Sequence, residues 1–425
     1  MTAFTMQVSQ NQFLAPGSDL VHAVVSVTAA PSTATGPPRG QLVEAFLVDC
    51  SRSMEGPKLK AAKEATAAAI DLLPEDAWFC VIAGAHTARL LAPLARTTPG
   101  NKRAAKAAVS HLKADGGTAM STWLDVARLE FAKVADGIHH ALLLTDGKNE
   151  SEEPAALQRA VERCEGRFQC DARGVGTDWE PEQLRTISGR LLGTVDIIPR
   201  AEEIAADFSR VIESAAGKSV GDAALRVWTP QTGSVQFCRQ VHPEHVDLTD
   251  RAKPDTTNPR QVRDYPTGAW GAERRDYHLC FRVAPGQVGQ RMCAARVGLV
   301  IAERGQAAKA AEAMVLAVWT DDETRSAVID PSVAHYTGQT ELADSIRLGL
   351  KARADGDGPR AEQLLGRAVQ IAAETHPETM ELLKKVVTVE DERQGSVKLR
   401  TDVNKEDEFA LDTRSTKTAR VNKDS

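Results

Sequence analysis

Aromatic residues are scarce: Phe, Trp and Tyr together fill 4% of the 425 positions. Proteins that hold single-stranded nucleic acid stack bases on exposed rings, so this scarcity argues against such a platform. No charge of one sign dominates, since 52 Lys and Arg face 58 Asp and Glu for a net charge of −6. The bulk positive field that draws a protein to nucleic acid or to an anionic membrane is therefore missing. No apolar run approaches the roughly 18 residues that span a bilayer. The opening stretch MTAFTMQVSQNQFLAPG has no basic segment followed by an apolar core, so it does not read as a signal peptide. The seven cysteines, at 50, 80, 164, 170, 238, 280 and 293, are odd in number and widely scattered, with no CxxC pair. A disulfide framework or a structural zinc site is not expected. Free thiols suit a reducing compartment, and the location expected is cytoplasmic.

What is present is enough apolar residue, 42%, for real cores in a chain too long for one ordinary domain. Residues 41–216 alternate apolar runs with helical stretches. Leu42–Val48, Trp78–Ala83, Ala141–Thr145, Cys170–Val175 and Val195–Ile198 read as strands. Pro57–Leu73, Asn101–Lys113, Met120–Val134, Glu153–Cys164, Glu180–Ser188 and Ala201–Ala215 read as helices. Strands alternating with helices of about ten to fifteen residues predict an α/β unit: a doubly wound, mostly parallel sheet covered on both faces. Residues 1–40 carry a further β segment ending in the Pro/Gly-rich TAAPSTATGPPRG. Residues 217–330 hold short β-like runs, ALRVW, SVQFC, DYHLCFRV, CAARVGLVIA and AMVLAVW, separated by turn residues. They predict an antiparallel β sandwich or small barrel, into which the α/β unit is inserted or which flanks it. From 335 to 390 the period turns helical, with a hairpin joined at Asp355–Gly358 and a third helix at Glu378–Val387. Residues 393–425 are polar and rich in Lys, Asp, Ser and Thr, a composition that predicts disorder.

The strongest chemical signal is Asp49-Cys50-Ser51-Arg52-Ser53, directly after a buried strand. In α/β folds this edge of the sheet carries the ligand site. One carboxylate and two hydroxyls at alternating positions can converge from a single loop. Such hard oxygens suit Mg²⁺ or Mn²⁺ rather than zinc. Gly116-Gly117-Thr118, before a helix, adds a hydroxyl, and Asp146-Gly147, after the ALLLT strand, adds a second carboxylate. Three loops from one sheet edge thus offer Asp49, Ser51, Ser53, Thr118 and Asp146.

The strings DCSRS, GGT and TDG, in this order and with this βα rhythm, resemble the metal-ion-dependent adhesion site of a von Willebrand factor A domain. The resemblance covers about residues 41–216, and all five motif positions match. It implies that Ser51, Ser53 and Thr118 coordinate Mg²⁺ directly or through water and that Asp49 and Asp146 act largely through water. It also implies that a last coordination place receives an acidic residue of a partner. Few negative protein ligands leave such a cation electrophilic, which favours an incoming carboxylate. The Ala- and Arg-rich usage with β flanks and a helical end further resembles von Willebrand A proteins of actinobacteria. Those proteins often accompany Ser/Thr kinases and forkhead-associated proteins.

Weaker signals point elsewhere and fail. His242-Pro243-Glu244-His245 lacks the helical HExxH spacing and reads as a turn. His139 and His140 open a strand, where neighbouring side chains face opposite ways, so they do not share a metal. Gly217-Lys218-Ser219 has Ile212 where a P-loop needs its first glycine. Asp355-Gly356-Asp357-Gly358 lacks the later ligands of an EF-hand. Cys50 reads as a buried small hydrophobe rather than a catalytic thiol. In the tail, Thr413, Thr416 and Thr418 lie among Arg414, Lys417 and Arg420. A phosphothreonine there would add about −1.5 to −2 charge, and Thr418-Ala-Arg-Val421 looks like a pattern that forkhead-associated domains read; an ordinary solubilising tail is the other reading.

The expectation is a non-enzymatic adaptor whose Mg²⁺- or Mn²⁺-loaded site captures an acidic residue of a partner protein. It is linked to Ser/Thr kinase and forkhead-associated signalling through the tail, with neither nucleic acid nor membrane as partner. The alternative is a subunit of an AAA+ ATPase complex of the chelatase kind. A metal-dependent hydrolase is the third reading, with Cys50 its one adjacent nucleophile.

Overall fold

The computed structural model describes residues 3–30, 41–303 and 306–418. The chain forms two units. One comprises Met1–Ala34, Asp222–Thr267 and Ala272–Ser425; the other comprises Thr35–Gly221 and Gly268–Gly271. The two β-rich flanks therefore belong to one unit, interrupted by the α/β unit. The Pro/Gly-rich stretch after Ala30 lies outside the described residues.

The α/β unit is built on a six-stranded sheet. Its order is Arg89–Arg96, Trp78–Gly84, Leu42–Asp49, Ile138–Thr145, Gln169–Val175, Val195–Ile198. All pairs are parallel except the first, which is antiparallel. Leu42–Asp49 is buried at every position, as a central strand covered on both faces must be. Helices Pro57–Leu72, Pro99–Ser110 and Ile204–Ala216 share one core with Phe46, Val48, Phe79, Val81, Leu142 and Leu144. Helix Met120–Phe131 lies on the opposite face, where a Cβ at Gly84 would stand 2.4 Å from the Trp123 ring. Only glycine lets that indole cover the strand end, and its Nε1 donates to the Ala85 carbonyl at 2.8 Å. Four of the six tryptophans, Trp123, Trp179, Trp270 and Trp319, are fully buried. These four indoles fill cores, whereas Trp78 and Trp228 are half-buried, with Arg96 and Arg296 over their rings.

The edge strand Arg89–Arg96 was not expected from the sequence. It carries Pro93 and is mostly half-exposed, both tolerated at a sheet edge and both masking a strand pattern. Val262–Trp270 also escaped, because Pro266 and Gly268 interrupt its strand pattern.

At the end of the sheet away from the DCSRS loop, a charged group is buried. His140 Nδ1 lies 2.8 Å from Glu44 Oε2 and its Nε2 lies 3.1 Å from Asp171 Oδ2. An imidazolium has two N–H donors, one for each carboxylate. Burial alone would push His140 down, but Glu44 and Asp171 outweigh it and hold the imidazolium up at about 10. Burial keeps the Glu44 carboxyl raised against the opposing pull of His140. Next along the same strand as Asp171, Arg173 Nε donates to Asp207 Oδ2 at 2.6 Å. His139 points away, its ring nitrogens 2.8 Å from the Val134 carbonyl and 3.2 Å from that of Arg167, so the two histidines do face opposite ways.

In the other unit, Phe4–Gln10, Leu20–Ala29, Arg274–Arg282, Ser234–His242 and Val246–Asp247 form one antiparallel sheet. A second sheet runs Lys253–Pro254, Val262–Trp270, Val220–Trp228, Arg291–Glu303, Gln306–Trp319, Phe13–Leu14. Helix Pro331–Ala354 docks on the first sheet: Tyr336 Oη donates to buried Asp276 at 2.6 Å, and Val333 packs with Val24 and Val241. Gly358–Thr375 completes the expected hairpin and Pro377–Val386 is the third helix.

The expected disorder of 393–425 is overturned over its described part. Val387–Asp391 pairs with Ser396–Leu399, and Lys405–Arg414 is a helix capped by Asn404. Val397 and Leu411 enter one core with Ile346, Leu365, Val369 and Leu383. Arg353 pairs with Glu408 at 2.8 Å and Lys385 with Asp407 at 2.9 Å. Polar composition averaged over the segment hid two apolar residues spaced to reach an existing core.

Two outcomes check this account. Leu411→Ala lowers unfolding free energy by about 2–5 kcal/mol in chemical denaturation, the usual loss for a buried leucine; a disordered segment would give no change. His140 is held above its unfolded-state value, so its stabilisation is whole below about pH 6.5 and is lost as pH rises through about 10. His140→Gln costs about 3–5 kcal/mol near neutral pH and removes the alkaline part of the pH-dependent melting curve.

Candidate metal centre

Strand Leu42–Asp49 is followed in sequence by its neighbour on one side, Trp78–Gly84, and later pairs on the other side with Ile138–Thr145. The strand order therefore reverses between Leu42–Asp49 and Ile138–Thr145. That reversal opens a crevice beyond the carboxyl ends of the two strands. Val48 pairs with Leu144, so Asp49 and Thr145 emerge side by side, with Asp146 one residue on.

The five predicted residues meet there. A Cβ built at Gly147 would stand 3.2 Å from Ser53 Oγ, 3.2 Å from Thr118 Oγ1 and 3.8 Å from Ser51 Oγ. Three hydroxyls from two loops thus converge on one cradle that a Cβ at this position would crowd. Ser51 Oγ and Ser53 Oγ are 3.0 Å apart. Behind them stand Asp49 and Asp146, both fully buried. Asp49 Oδ1 accepts the Ser51 N–H at 2.7 Å, and its Oδ2 accepts the Thr145 hydroxyl. Burial pushes the Asp49 carboxyl up to about 6 against the opposing hydrogen bonds of Ser51 and Thr145, and the nearby Asp146 adds to the rise. Asp146 Oδ1 accepts from Ser53 Oγ at 2.7 Å, and its Oδ2 accepts from Lys58 Nζ at 2.6 Å.

This donor set fits a hard divalent cation: hydroxyls face the cradle and carboxylates back it. Among the described residues no three His, Cys, Asp or Glu side chains cluster in metal-ligating geometry, so a thiolate or imidazole site of the zinc kind is not found there. Cys50 is buried, and its Sγ lies 3.2 Å from the Gly84 carbonyl. Burial pushes its thiol up to about 11, with Asp49 adding to the effect.

Several residues that shape the site were not singled out from the sequence. Helix Met120–Phe131 begins at Ala119, which has no capping side chain. The cap comes from the loop after Asp146. Asn149 Oδ1 accepts the Met120 N–H at 2.7 Å, and Glu152 Oε1 accepts that of Ser121 at 3.0 Å. Ser151 Oγ accepts the Thr118 N–H at 3.0 Å, and Ser151 N–H returns a bond to the Thr118 carbonyl. Capping across loops leaves the Thr118 hydroxyl to face the cradle instead of closing the helix. The available signal was a helix start without Ser, Thr, Asp or Asn beside a loop, Asn149-Glu150-Ser151-Glu152, rich in capping residues. Thr145 bridges the two strand ends, donating to Asp49 and accepting the Gly147 N–H at 3.1 Å.

The phosphorylation candidates lie in the other unit. Thr413 is fully buried in its helix and donates to the Phe409 carbonyl at 2.8 Å, which removes it as an accessible acceptor. Thr416 Oγ1 donates to the Thr413 carbonyl at 2.8 Å. Thr418 Oγ1 donates to the carbonyls of Val241 and Pro243. Arg420 and Val421, needed for the forkhead-associated pattern, lie outside the described residues. Residues 242–245 form the expected turn, and His245 N–H donates to the Thr416 carbonyl at 2.8 Å.

Known proteins share this architecture. Residues 44–197 match the von Willebrand factor type A domain, and residues 370–415 match the von Willebrand factor type A C-terminal domain. A solved von Willebrand factor type A structure from Catenulispora acidiphila is 45% identical, with a TM-score of 0.94 over 99% of this chain and 98% of that one. The ArnB paralog VWA2 from Sulfolobus acidocaldarius shares the fold alone, at 13% identity and a TM-score of 0.56 over 97% of this chain and 98% of that one. An uncharacterized Synechocystis sp. protein is 30% identical over 209 residues, 48% of this chain and 49% of its own length. Inter-alpha-trypsin inhibitor heavy chain H1 of Mesocricetus auratus is 25% identical over 214 residues, 48% of this chain and 23% of its own. The chain thus spans about half, or less, of the curated relatives it matches.

Gly147 does not have positive φ, so alanine is tolerated by its backbone. Gly147→Ala keeps the fold but fills the cradle. The expected result is loss of any Mg²⁺- or Mn²⁺-induced rise in melting temperature; a rise equal to that of the unsubstituted protein would refute the cradle assignment.

Proposed function

The chain belongs to the von Willebrand factor type A family, and from that premise we propose that it is a binding protein whose Mg²⁺- or Mn²⁺-loaded site captures an acidic side chain of a partner protein. The observation that carries this reading is the convergence of Ser51, Ser53 and Thr118 on the space beside Gly147, backed by buried Asp49 and Asp146. Neutral hydroxyls facing the cradle leave a divalent cation strongly electrophilic, and a carboxylate is the ligand that best completes it. When bound, the cation supplies that Lewis-acid contact. The chain's own part is to hold three hydroxyls in place through Thr145, Ser151 and the glycine.

Binding is favoured over hydrolysis because Cys50, the thiol adjacent to the ligand loop, is buried and held protonated. A link to Ser/Thr kinase and forkhead-associated signalling narrows to Thr416 and Thr418. Phosphorylation of Thr418 would break its bonds to Val241 and Pro243 and release the chain from the turn at His242–His245. A cytoplasmic setting fits this reading, and among the described residues no helix is long and apolar enough to cross a membrane.

The test is affinity capture from cell extract with and without EDTA, read by mass spectrometry. Partners should be retained with Mg²⁺ and lost with EDTA, and Asp49→Ala or Asp146→Ala should abolish the Mg²⁺ effect. Capture that ignores both EDTA and the substitutions rules the reading out. A hexameric ATPase as the retained partner points instead to an AAA+ complex, and phosphopeptides in the same data report on Thr416 and Thr418.

A further inference from the structure

Lys58 is the second residue of helix Pro57–Leu72, which starts after Gly56 at φ 88°. This entry turns the lysine towards the sheet edge. Its Nζ lies 2.6 Å from Asp146 Oδ2 and 3.6 Å from Asp178 Oδ2. The Asp146 side chain is 0% exposed, that of Lys58 29% and that of Asp178 72%. One of the two carboxylates behind the cradle therefore already carries a cation of the protein's own. The exposed Asp178 screens that ammonium only weakly.

We infer that Lys58 makes divalent-cation binding and carboxylate capture cooperative at this site, weakening the cation alone and strengthening the acid that follows it. The inference rests on the metal-dependent reading above and goes beyond it by naming the residue that couples the two ligands. The reason is charge. Asp49 and Asp146 would balance a divalent cation between them. With the Lys58 ammonium beside Asp146, the loaded site holds one positive charge in excess. A single incoming carboxylate restores balance, whereas a neutral ligand does not. A buried setting makes this imbalance count for more than it would in water. Because coupling is reciprocal, the factor by which the acid tightens the cation equals the factor by which the cation tightens the acid, so a cation titration with and without carboxylate reads it. The ligand class is an anionic carboxylate, such as a partner's Asp or Glu, taken up only with the cation in place.

The test is titration calorimetry of the full chain with Mn²⁺, in chloride and in acetate, with melting curves of the metal-free protein as the folding control. In the unsubstituted protein, acetate should tighten Mn²⁺ binding. Lys58→Met and Lys58→Gln should bind Mn²⁺ about tenfold tighter in chloride, as expected for removing one nearby charge from a partly buried site. Both should lose most of the acetate effect. Lys58→Arg keeps the charge and should stay close to the unsubstituted protein. If Lys58→Met and Lys58→Gln fold yet bind no tighter, or if Lys58→Arg gains as much as they do, the role of Lys58 is overturned while the metal reading stands. If neither the unsubstituted protein nor the neutral variants bind Mn²⁺, both fall together.

Discussion

The site depends on the parallel pairing of Leu42–Asp49 with Ile138–Thr145. Both strands are central and buried on both faces, so their register is set by the packing of Phe46, Val48, Leu142 and Leu144 into one core. A slip by one residue would turn every side chain to the other face. It would also separate Asp49 from the Thr145 hydroxyl that joins the two strand ends. Because the strand order reverses between them, no crossover helix closes the gap above, and the loops that follow are free to meet there.

Those loops are held by hydrogen bonds that pass between them. Arg52 N–H donates to the Gly116 carbonyl at 3.1 Å, and Asp115 N–H to the Cys50 carbonyl at 2.8 Å. The loop after Asp146 caps the helix that follows Thr118. The loops' own backbone bonds thus position the three hydroxyls relative to the strand ends. The electrostatics along the same strand differ from end to end. At one end Glu44 is matched by the His140 imidazolium, which stabilises the core. At the other, Asp146 is matched by Lys58, while Asp49 is supported by hydrogen-bond donors. Glu44 is covered by its histidine, whereas Asp49 lies behind an opening lined with hydroxyls.

The second unit shows how far apart in sequence a single core can be recruited. Leu20–Ala29 pairs with Arg274–Arg282, with the whole α/β unit between them in the chain. Helix Pro331–Ala354 then joins that sheet through Tyr336 and Val333, and the segment after Arg393 adds Val397 and Leu411 to the helical core. The match of residues 370–415 to a C-terminal domain of the same family agrees with this order.

The sequence alone determined the α/β class, the β-rich segments on either side of it and the five residues of the candidate site, while the joining of those segments into one unit was decided by the tertiary structure. Those follow from local patterns: continuous apolar strands, helical periods and hydroxyl or carboxylate groups at the strand ends. It did not disclose the edge strand Arg89–Arg96, because Pro93 and half-exposure erase the pattern that marks a buried strand. It misjudged residues 393–418, because order there comes from a core built by distant helices and not from the segment's own composition. It placed Thr413 among accessible threonines, although the face that a helix buries is decided by its neighbours. Above all, it left out Lys58, Thr145, Asn149, Ser151 and Glu152. Each acts through a partner 29 or more residues away in the chain, and only the folded sheet edge brings such partners within hydrogen-bonding distance.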